Sequence, residues 1–264
     1  MDLEQDNVIG IVGGVGPQAG LAMYDYILRY TKAAKDQDHL SVVLMSFPRH
    51  IADRTAFLDD PLRPNPAYNI ARVILNLEQA GAKVVGIACN TSYAREIYSV
   101  ILDELSKMNS QVSLLNMPKE TCRYIKSNHL HVRRVGVMST NGTYRSEVYK
   151  HLLEGYGFEV ILPDEQFQND VIHRMIYDEN IGLKANPDKV TFDAKQLMRE
   201  ALNYFANAKA EAVILGCTEL SLVAPYVTPN DIVLVDSSEV LAKALIRESL
   251  ANDKAKGTGS PILT

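Results

Sequence analysis

The stretch Val84-Val85-Gly86-Ile87-Ala88-Cys89-Asn90-Thr91-Ser92 is typical of a buried β-strand that ends at a cysteine followed by small polar residues. A second stretch, Ala212-Val213-Ile214-Leu215-Gly216-Cys217-Thr218-Glu219, has the same design. The two cysteines lie 128 residues apart (217 − 89), close to half of the 264-residue chain. We therefore expect Cys89 and Cys217 to end equivalent strands and to face each other across one site.

Short apolar runs alternate with helical patterns in both halves of the chain. Strands are predicted at residues 8–12, 41–47, 84–89 and 112–117, and again at 134–138, 159–162, 212–217 and 232–235. This order predicts an α/β protein with two pseudo-equivalent αβα lobes, each containing a four-stranded, mainly parallel sheet. Ligands of such sheets bind outside the carboxyl ends of the strands, so the active site is expected between the lobes.

The lobes are assigned from the same pattern. Residues 1–118 and a C-terminal helix at 236–250 are predicted to form lobe 1, which carries Cys89. Residues 119–235 are predicted to form lobe 2, which carries Cys217, and residues 251–264 are predicted to be a flexible tail. Ser237 or Ser238 is expected to cap the last helix.

Composition narrows the class of protein. The net charge is −5 and no basic block is present, which argues against a nucleic-acid partner. No run of 18 apolar residues exists, and the N-terminal residues 1–7 are acidic rather than signal-like, so neither a membrane span nor secretion is expected. Three cysteines without C-x-x-C spacing fit a reducing cytoplasm and argue against a structural zinc site.

Gly13-Gly14-Val15-Gly16-Pro17 forms a turn between the first strand and a helix. It matches the G-x-G-x-x-A dinucleotide pattern formally, but the second strand lacks the acidic residue that would hold a ribose. A tight structural turn and a turn that presents backbone N–H groups to a small anionic ligand both fit. We favour the second interpretation, which makes Gly14 a candidate binding residue.

Two thiols at matching strand ends suggest acid-base chemistry. A disulfide does not fit a reducing compartment, and a cysteine nucleophile needs a nearby histidine, which neither motif has. Stereoinversion at a carbon acid does need two groups, one to remove a proton and one to deliver a proton to the opposite face. One thiol must then have a lowered pKa, for which a helix N-terminus after the strand is the expected cause. Cys122 has helical neighbours and is predicted to be a core residue.

The stretches Gly10–Pro17, Ala88–Ser92 and Leu215–Leu220 resemble three signatures of the aspartate/glutamate racemases, enzymes of the Asp/Glu/hydantoin racemase superfamily. The resemblance extends from Val8 to about Leu250. It implies two αβα lobes, catalytic Cys89 and Cys217, an acidic amino acid as substrate, and no pyridoxal phosphate or metal. Many members are dimers, so a homodimer is expected.

The same resemblance assigns substrate-binding residues. The Asp53-Arg54 pair matches the family's Asp-Arg pair on the loop after strand two, and Lys184 corresponds to a lysine of lobe 2. Arg54 and Lys184 would bind the side-chain carboxylate, for which a guanidinium offers two parallel N–H donors. The polar residues that follow the cysteines would hold the α-carboxylate and the developing charge: Asn90, Thr91, Ser92 and Thr218. Glu219 either takes the α-ammonium group or caps the following helix.

Three positions depart from the family pattern. Tyr93 stands where the family often has histidine, Ala52 where it usually has proline, and Val15 where it usually has methionine. These changes leave the cysteine pair intact, so they bear on substrate identity more than on reaction type.

The sequence therefore predicts a racemase that interconverts L- and D-aspartate, or the forms of glutamate, by thiolate–thiol proton transfer. Two alternatives stay open. One is a related carbon-acid enzyme, such as a decarboxylase or a maleate-type isomerase. The other is a non-catalytic protein that binds a dicarboxylate, although binding alone would need neither thiol.

Overall fold

Two four-stranded parallel sheets with the same strand order form the framework of the protein. The computed structural model describes residues 7–186, 188–227 and 231–256, without the side chains of 252–256. The strand order is β2-β1-β3-β4 in the first sheet and β6-β5-β7-β8 in the second, and every pairing is parallel. This arrangement confirms the predicted two-lobe α/β fold.

The first sheet and its helices occupy the first half of the chain. Their bounds are β1 Val8–Gly13, α1 Pro17–Tyr30, β2 Val42–Ser46, α2 Arg54–Asp59, α3 Ala67–Gln79, β3 Ala82–Ile87, α4 Arg95–Lys107, β4 Ser113–Leu115 and α5 Met117–Asn128.

The second sheet repeats the pattern with more short helical pieces. Its elements are β5 Arg134–Ser139, α6 Asn141–Arg145, α7 Val148–Gly155, β6 Glu159–Ile161, α8 Glu165–Phe167, a π-helical turn Gln168–His173, α9 Arg174–Tyr177, α10 Phe192–Asn207, β7 Ala212–Gly216, α11 Leu220–Val223, β8 Val233–Asp236 and α12 Ser237–Lys256.

The central strands are buried along their length, because helices cover both faces of each sheet. All six residues of β1 and all five of β7 are buried. Near the middle of β5, a Cβ atom on Gly136 would lie 2.5 Å from the ring of Phe205, so only glycine lets α10 pack this closely. Leu241 and Leu245 of α12 belong to the hydrophobic core of the first sheet, which supports assigning the C-terminal helix to lobe 1.

Several local expectations were wrong. Arg54 begins helix α2 instead of lying in a loop, because the Asp53 carboxylate caps that helix by accepting from the Ala56 N–H at 2.8 Å. Asp236, not Ser237 or Ser238, caps α12, since its carboxylate accepts from the backbone N–H of Ser238 at 2.8 Å.

Two further corrections concern helix ends. Cys89 is followed by a 3₁₀ turn at Asn90–Tyr93 and Cys217 by the four-residue helix α11, so neither thiol lies at the N-terminus of a long helix. Helix α12 continues to Lys256, beyond the predicted start of a flexible tail at residue 251, and residues 257–264 of that predicted tail lie outside the described residues. Within the described ranges, no helix is both long and apolar enough to cross a membrane.

Candidate active site

Cys89 and Cys217 line one small cavity between the carboxyl ends of the two sheets. Cys89 follows β3 after Ala88, whose N–H still donates to the Val12 carbonyl of β1 at 3.1 Å. Cys217 follows directly on Gly216, the last residue of β7. The cavity holds about 20 Å³, room for roughly one water molecule. The matched strand ends thus bring the two thiols to a single enclosed space, as the sequence predicts.

A larger cavity of about 460 Å³ adjoins the cysteine cavity. The two cavities share four lining residues: Val15, Arg54, Lys184 and Glu219. The wall of the outer cavity is largely apolar, and its apolar members are Val15, Pro17, Pro48, Ile51, Leu183 and Leu222. A ligand that reaches the thiols from this side must therefore pass the charged residues that lie between the two cavities.

Arg54 is a buried cation beside Cys89. Only 7% of the residue is exposed, and its guanidinium donates to the carbonyl of Val15 and to that of Ala52. The first of these bonds ties α2 to the glycine turn. Nε of Arg54 is buried and finds no hydrogen-bond partner among the oxygens and nitrogens of the described residues. The two carbonyl bonds hold the Arg54 guanidinium in place where it lines the cysteine cavity.

The electrostatic surroundings of Cys89 favour the thiolate. Burial raises the pKa of the Cys89 thiol, but Arg54, the hydroxyl and amide of Ser92, and the Lys184 ammonium outweigh burial and lower that pKa below its ordinary value. The main cause is thus an adjacent guanidinium, with the polar groups of Ser92 close by, rather than the helix N-terminus that the sequence suggested.

The surroundings of Cys217 favour the thiol. Burial raises the pKa of Cys217, and the nearby Glu219 carboxylate raises it further, well above the ordinary value. Sγ of Cys217 donates a hydrogen bond to Oε2 of Glu219 at 3.0 Å, and the Thr218 hydroxyl donates to the same oxygen at 2.9 Å. The pKa values of the two cysteines are therefore shifted in opposite directions, downwards for Cys89 and upwards for Cys217.

Lys184 and Glu219 form an ion pair at the boundary between the two cavities. Burial raises the pKa of the Glu219 carboxyl, but the Lys184 ammonium and bonds from its neighbours lower it to about 2. Lys184 also lies 5.4 Å from the ring centre of Tyr177. Glu219 makes no side-chain capping bond to α11, so the capping interpretation of this residue is wrong. Lys184 is therefore not a free second cation beside Arg54, because its ammonium group is already paired with the Glu219 carboxylate.

Asn90 and Thr91 connect the two lobes. The Asn90 amide donates to the Ser237 hydroxyl at 3.0 Å and accepts from the Tyr149 hydroxyl at 2.5 Å. The Thr91 hydroxyl lies 3.1 Å from that of Thr140 and 2.9 Å from that of Thr143. Both residues line the cysteine cavity, yet their side chains already have protein partners, so substrate binding by them stays a prediction.

The remaining predicted residues take different places. Thr218 lines the cysteine cavity, whereas Ser92 is fully buried and lines neither cavity. Gly14 lines the outer cavity with a positive φ of 77°, and a Cβ atom there would lie 2.3 Å from the Phe47 nitrogen. Only glycine therefore fits this turn. Tyr93 lies away from both cavities, and its hydroxyl donates to the Leu115 carbonyl at 3.0 Å.

Sequence reasoning missed Tyr177 and Thr140, which both line the cysteine cavity. Thr140 follows β5 directly, so the rule that ligands bind at strand ends could have identified it. Tyr177 lies in α9, just after the π-helical turn, and its hydroxyl donates to the Asp53 carboxylate of the other lobe at 3.2 Å. Nothing in the sequence around Tyr177 indicates a site. Among the described residues, no cluster of histidine, cysteine and acidic side chains is arranged to hold a metal ion.

The two-lobe fold agrees with the comparisons to known proteins. Residues 12–245 match the Asp/Glu/Hydantoin racemase family model. The broad specificity amino-acid racemase RacX of Bacillus subtilis is 26% identical over 92% of this chain and 99% of its own length. The aspartate racemase of Picrophilus torridus superimposes with a TM-score of 0.73 at 28% identity, covering 92% of this chain and 94% of its own.

A third relative shows the fold alone. The structure of a putative Asp/Glu racemase from Yersinia pestis superimposes with a TM-score of 0.72 at 22% identity, over 92% of this chain and 99% of its own. The family model spans most of the chain and both cysteine motifs. This protein therefore belongs to the Asp/Glu/hydantoin racemase family.

Proposed function

We propose that this protein is a cofactor-independent amino-acid racemase that interconverts the L and D forms of aspartate or glutamate, with Cys89 and Cys217 as its acid-base pair. The observation that carries the proposal is the shared cavity in which the surroundings favour thiolate at Cys89 and thiol at Cys217. A binding protein would need neither the two thiols nor their opposite protonation.

The reaction needs one proton transfer on each face of the α-carbon. With the substrate between the sulfurs, the Cys89 thiolate takes the α-proton and leaves its electron pair in an enolate-like intermediate. The Cys217 thiol then donates its proton to the opposite face of that carbon. Cys89 ends as thiol and Cys217 as thiolate, so the product is the enantiomer and no atom is gained or lost. Acid-base catalysis of this kind contributes on the order of 10²–10⁴-fold to a rate.

Charged residues at the cavity boundary would position the substrate. The Arg54 guanidinium and the Lys184 ammonium flank the cysteine cavity, and either can attract a carboxylate. The cavity between the thiols is too small for an amino acid, so binding requires the residues around it to move, and the Lys184–Glu219 pair lies where that cavity meets the outer cavity. A substrate carboxylate that reaches Lys184 would offset the contact that Glu219 gives up.

A broader substrate range is the second candidate. The outer cavity of about 460 Å³ exceeds what a short acidic side chain fills, and its wall is largely apolar. These features favour medium-sized neutral side chains over aspartate, in line with the name of the Bacillus subtilis relative. The two candidates share the cysteine chemistry and differ only in which side chain the outer cavity admits.

A panel of substrates tests the proposal. Purified protein is incubated with single L-amino acids, and the D-forms are quantified by chiral chromatography. The panel contains aspartate, glutamate, methionine, leucine and lysine. Turnover confined to aspartate or glutamate supports the first candidate, and faster turnover of methionine or leucine supports the second. No D-form from any of them would refute racemase activity on these substrates.

The assembly and the compartment are also part of the proposal. Helix α1 exposes Leu21, Tyr24 and Leu28 along one face, and an exposed apolar stripe of this kind supports a homodimer. Light scattering should then give twice the chain mass of 29.3 kDa, and Leu21→Glu should reduce it to the mass of one chain. The unpaired cysteines fit a reducing cytoplasm.

A further inference from the structure

We propose that Glu219 is a positioning residue that holds the transferable proton on Cys217 in the resting enzyme, so that turnover starts with Cys89 as the base. The statement that turnover starts with Cys89 as the base rests on the proposed racemase function. The statement that Glu219 keeps the proton on Cys217 concerns only the protonation of thiols, which can be measured without substrate.

The geometry around Glu219 carries the argument. Its Oε2 accepts hydrogen bonds from Sγ of Cys217 at 3.0 Å and from the Thr218 hydroxyl at 2.9 Å, while Oε1 contacts Nζ of Lys184. A carboxylate has no proton to donate, so the bond to the sulfur exists only when Cys217 is a thiol. The side chain of Glu219 is 7% exposed, which leaves the Cys217 thiolate facing a buried negative charge if the proton departs.

The two halves of the site are therefore unequal although the lobes are alike. After β7, the cysteine and threonine are followed by a carboxylate that contacts the thiol. After β3, Cys89 is followed by uncharged residues, and the charge beside it is the guanidinium of Arg54 from α2. A negative neighbour keeps the proton on Cys217, and a positive neighbour removes it from Cys89.

Other ionisable groups around Cys217 do not reverse this order. The groups that share its cavity are Arg54, Cys89, Tyr177, Lys184 and Glu219. The Lys184 ammonium favours a Cys217 thiolate, but it is paired with the Glu219 carboxylate. Behind the strand, the Tyr149 hydroxyl donates to Asn90, and the Asp236 carboxylate accepts from the Tyr26 hydroxyl at 2.7 Å.

The first experiment titrates Cys217 by its thiolate absorbance at 240 nm. In protein with Cys89→Ser and Cys122→Ser, Cys217 is the one remaining cysteine of the chain. When Glu219 is present, we expect no thiolate below pH 9.0, which is the ordinary pKa of a cysteine thiol. With Glu219→Gln added, we expect the midpoint to fall, because the carboxylate that opposes the effect of Lys184 on the sulfur is gone. With Glu219→Asp, which keeps a carboxylate, the Cys217 midpoint should lie between that of the protein with Glu219 and that of Glu219→Gln.

Lys184→Met in the same background is the matched control. It removes the other half of the ion pair and disturbs packing in a similar way, yet it should leave Cys217 protonated. An unchanged Cys217 midpoint in Glu219→Gln would overturn the proposal, and so would an equal fall in Lys184→Met. Circular dichroism checks that every variant is folded. If Glu219→Gln does not fold, Glu219→Asp takes its place. The Cys217 midpoint in Glu219→Asp must then lie below that of the protein with Glu219.

The second experiment uses turnover by the intact enzyme. The rate should rise with pH as Cys89 loses its proton and fall again as Cys217 loses its own, which gives a bell-shaped profile. Glu219→Gln should move the alkaline limb to lower pH and leave the acid limb in place. Racemisation with an unmoved alkaline limb contradicts the proposal but not the function. Thiol titrations as expected in a protein that racemises nothing contradict the function but not the role of Glu219 towards Cys217.

Discussion

Replacing Arg54 with glutamine removes the cation beside Cys89, and we expect racemisation at neutral pH to slow. Two unit charges about 4 Å apart interact by about 4 kcal/mol at an effective dielectric constant of about 20. Arg54 is almost fully buried, so little of that interaction is screened, but Ser92 and Lys184 continue to favour the thiolate. We therefore expect the Cys89 pKa to rise in Arg54→Gln, because the cation that lowers it most is gone while burial still favours the thiol.

The sign of the pH effect follows from this shift. The lowered pKa of Cys89 in the native enzyme makes its thiolate fraction at neutral pH larger than that of an ordinary cysteine. In Arg54→Gln the thiolate fraction falls, so kcat/KM at neutral pH should drop by about 10-fold to 100-fold and recover as the pH rises. The acid limb of the pH profile should thus move to higher pH.

The assay measures kcat/KM for the best L-amino-acid substrate between pH 5.5 and 9.5. Iodoacetamide labelling of Cys89 at each pH, followed by peptide mass spectrometry, reports the thiolate independently of substrate. Arg49→Gln is the matched control, because Arg49 is an exposed arginine of the same segment and has no place in either cavity. A lower rate in Arg54→Gln with an unmoved acid limb and unchanged labelling would refute the electrostatic role and leave only substrate binding.

Gly136→Ala should lower the free energy of unfolding by about 1–3 kcal/mol, because its Cβ atom would lie 2.5 Å from the Phe205 ring. Gly155→Ala, where no atom lies within 4 Å of the added carbon, should be neutral or stabilising by up to about 1 kcal/mol in urea unfolding. Cys122→Ser should lower stability and leave kcat within about twofold, since Cys122 is fully buried in a core and burial raises its pKa to about 12. A folded but inactive Cys122→Ser protein would contradict this assignment. Thr91→Val should lower the free energy of unfolding by about 1–3 kcal/mol, because two hydroxyl contacts to the other lobe are lost at about 0.5–1.5 kcal/mol each. Thr91→Ser, which keeps the hydroxyl, should lower it less in the same urea unfolding assay.

The sequence predicted the fold and the position of the cysteine pair because both follow from local patterns. Apolar runs ending at Cys89 and Cys217 mark strands, and parallel strands place their carboxyl ends at one edge of a sheet. Two similar halves then bring the two edges together. The surroundings of each thiol followed less directly, because they depend on which distant residues meet there.

Arg54 and Glu219 show where the sequence was insufficient. Arg54 was expected on a loop, yet it begins a capped helix and lies beside a thiol, while its binding of a carboxylate stays a prediction. Glu219 was expected to cap a helix or bind an ammonium group, yet it contacts Lys184, 35 residues away in the chain. The same contact changes Lys184 from a free cation into a paired one. Pairings between segments so far apart leave no periodic signal.

The central claim is that Cys89 and Cys217 act as a pair on the two faces of one carbon. Its most direct test is deuterium uptake at the α-carbon of L-aspartate and L-glutamate in D2O without added cofactor, followed by NMR and chiral chromatography. The native protein should exchange the α-hydrogen of at least one of them and form its D-enantiomer, and Cys89→Ser and Cys217→Ser should each lose at least about 100-fold in rate. Undiminished racemisation in either variant, or retention of the α-hydrogen by both amino acids with the native protein, would contradict the claim.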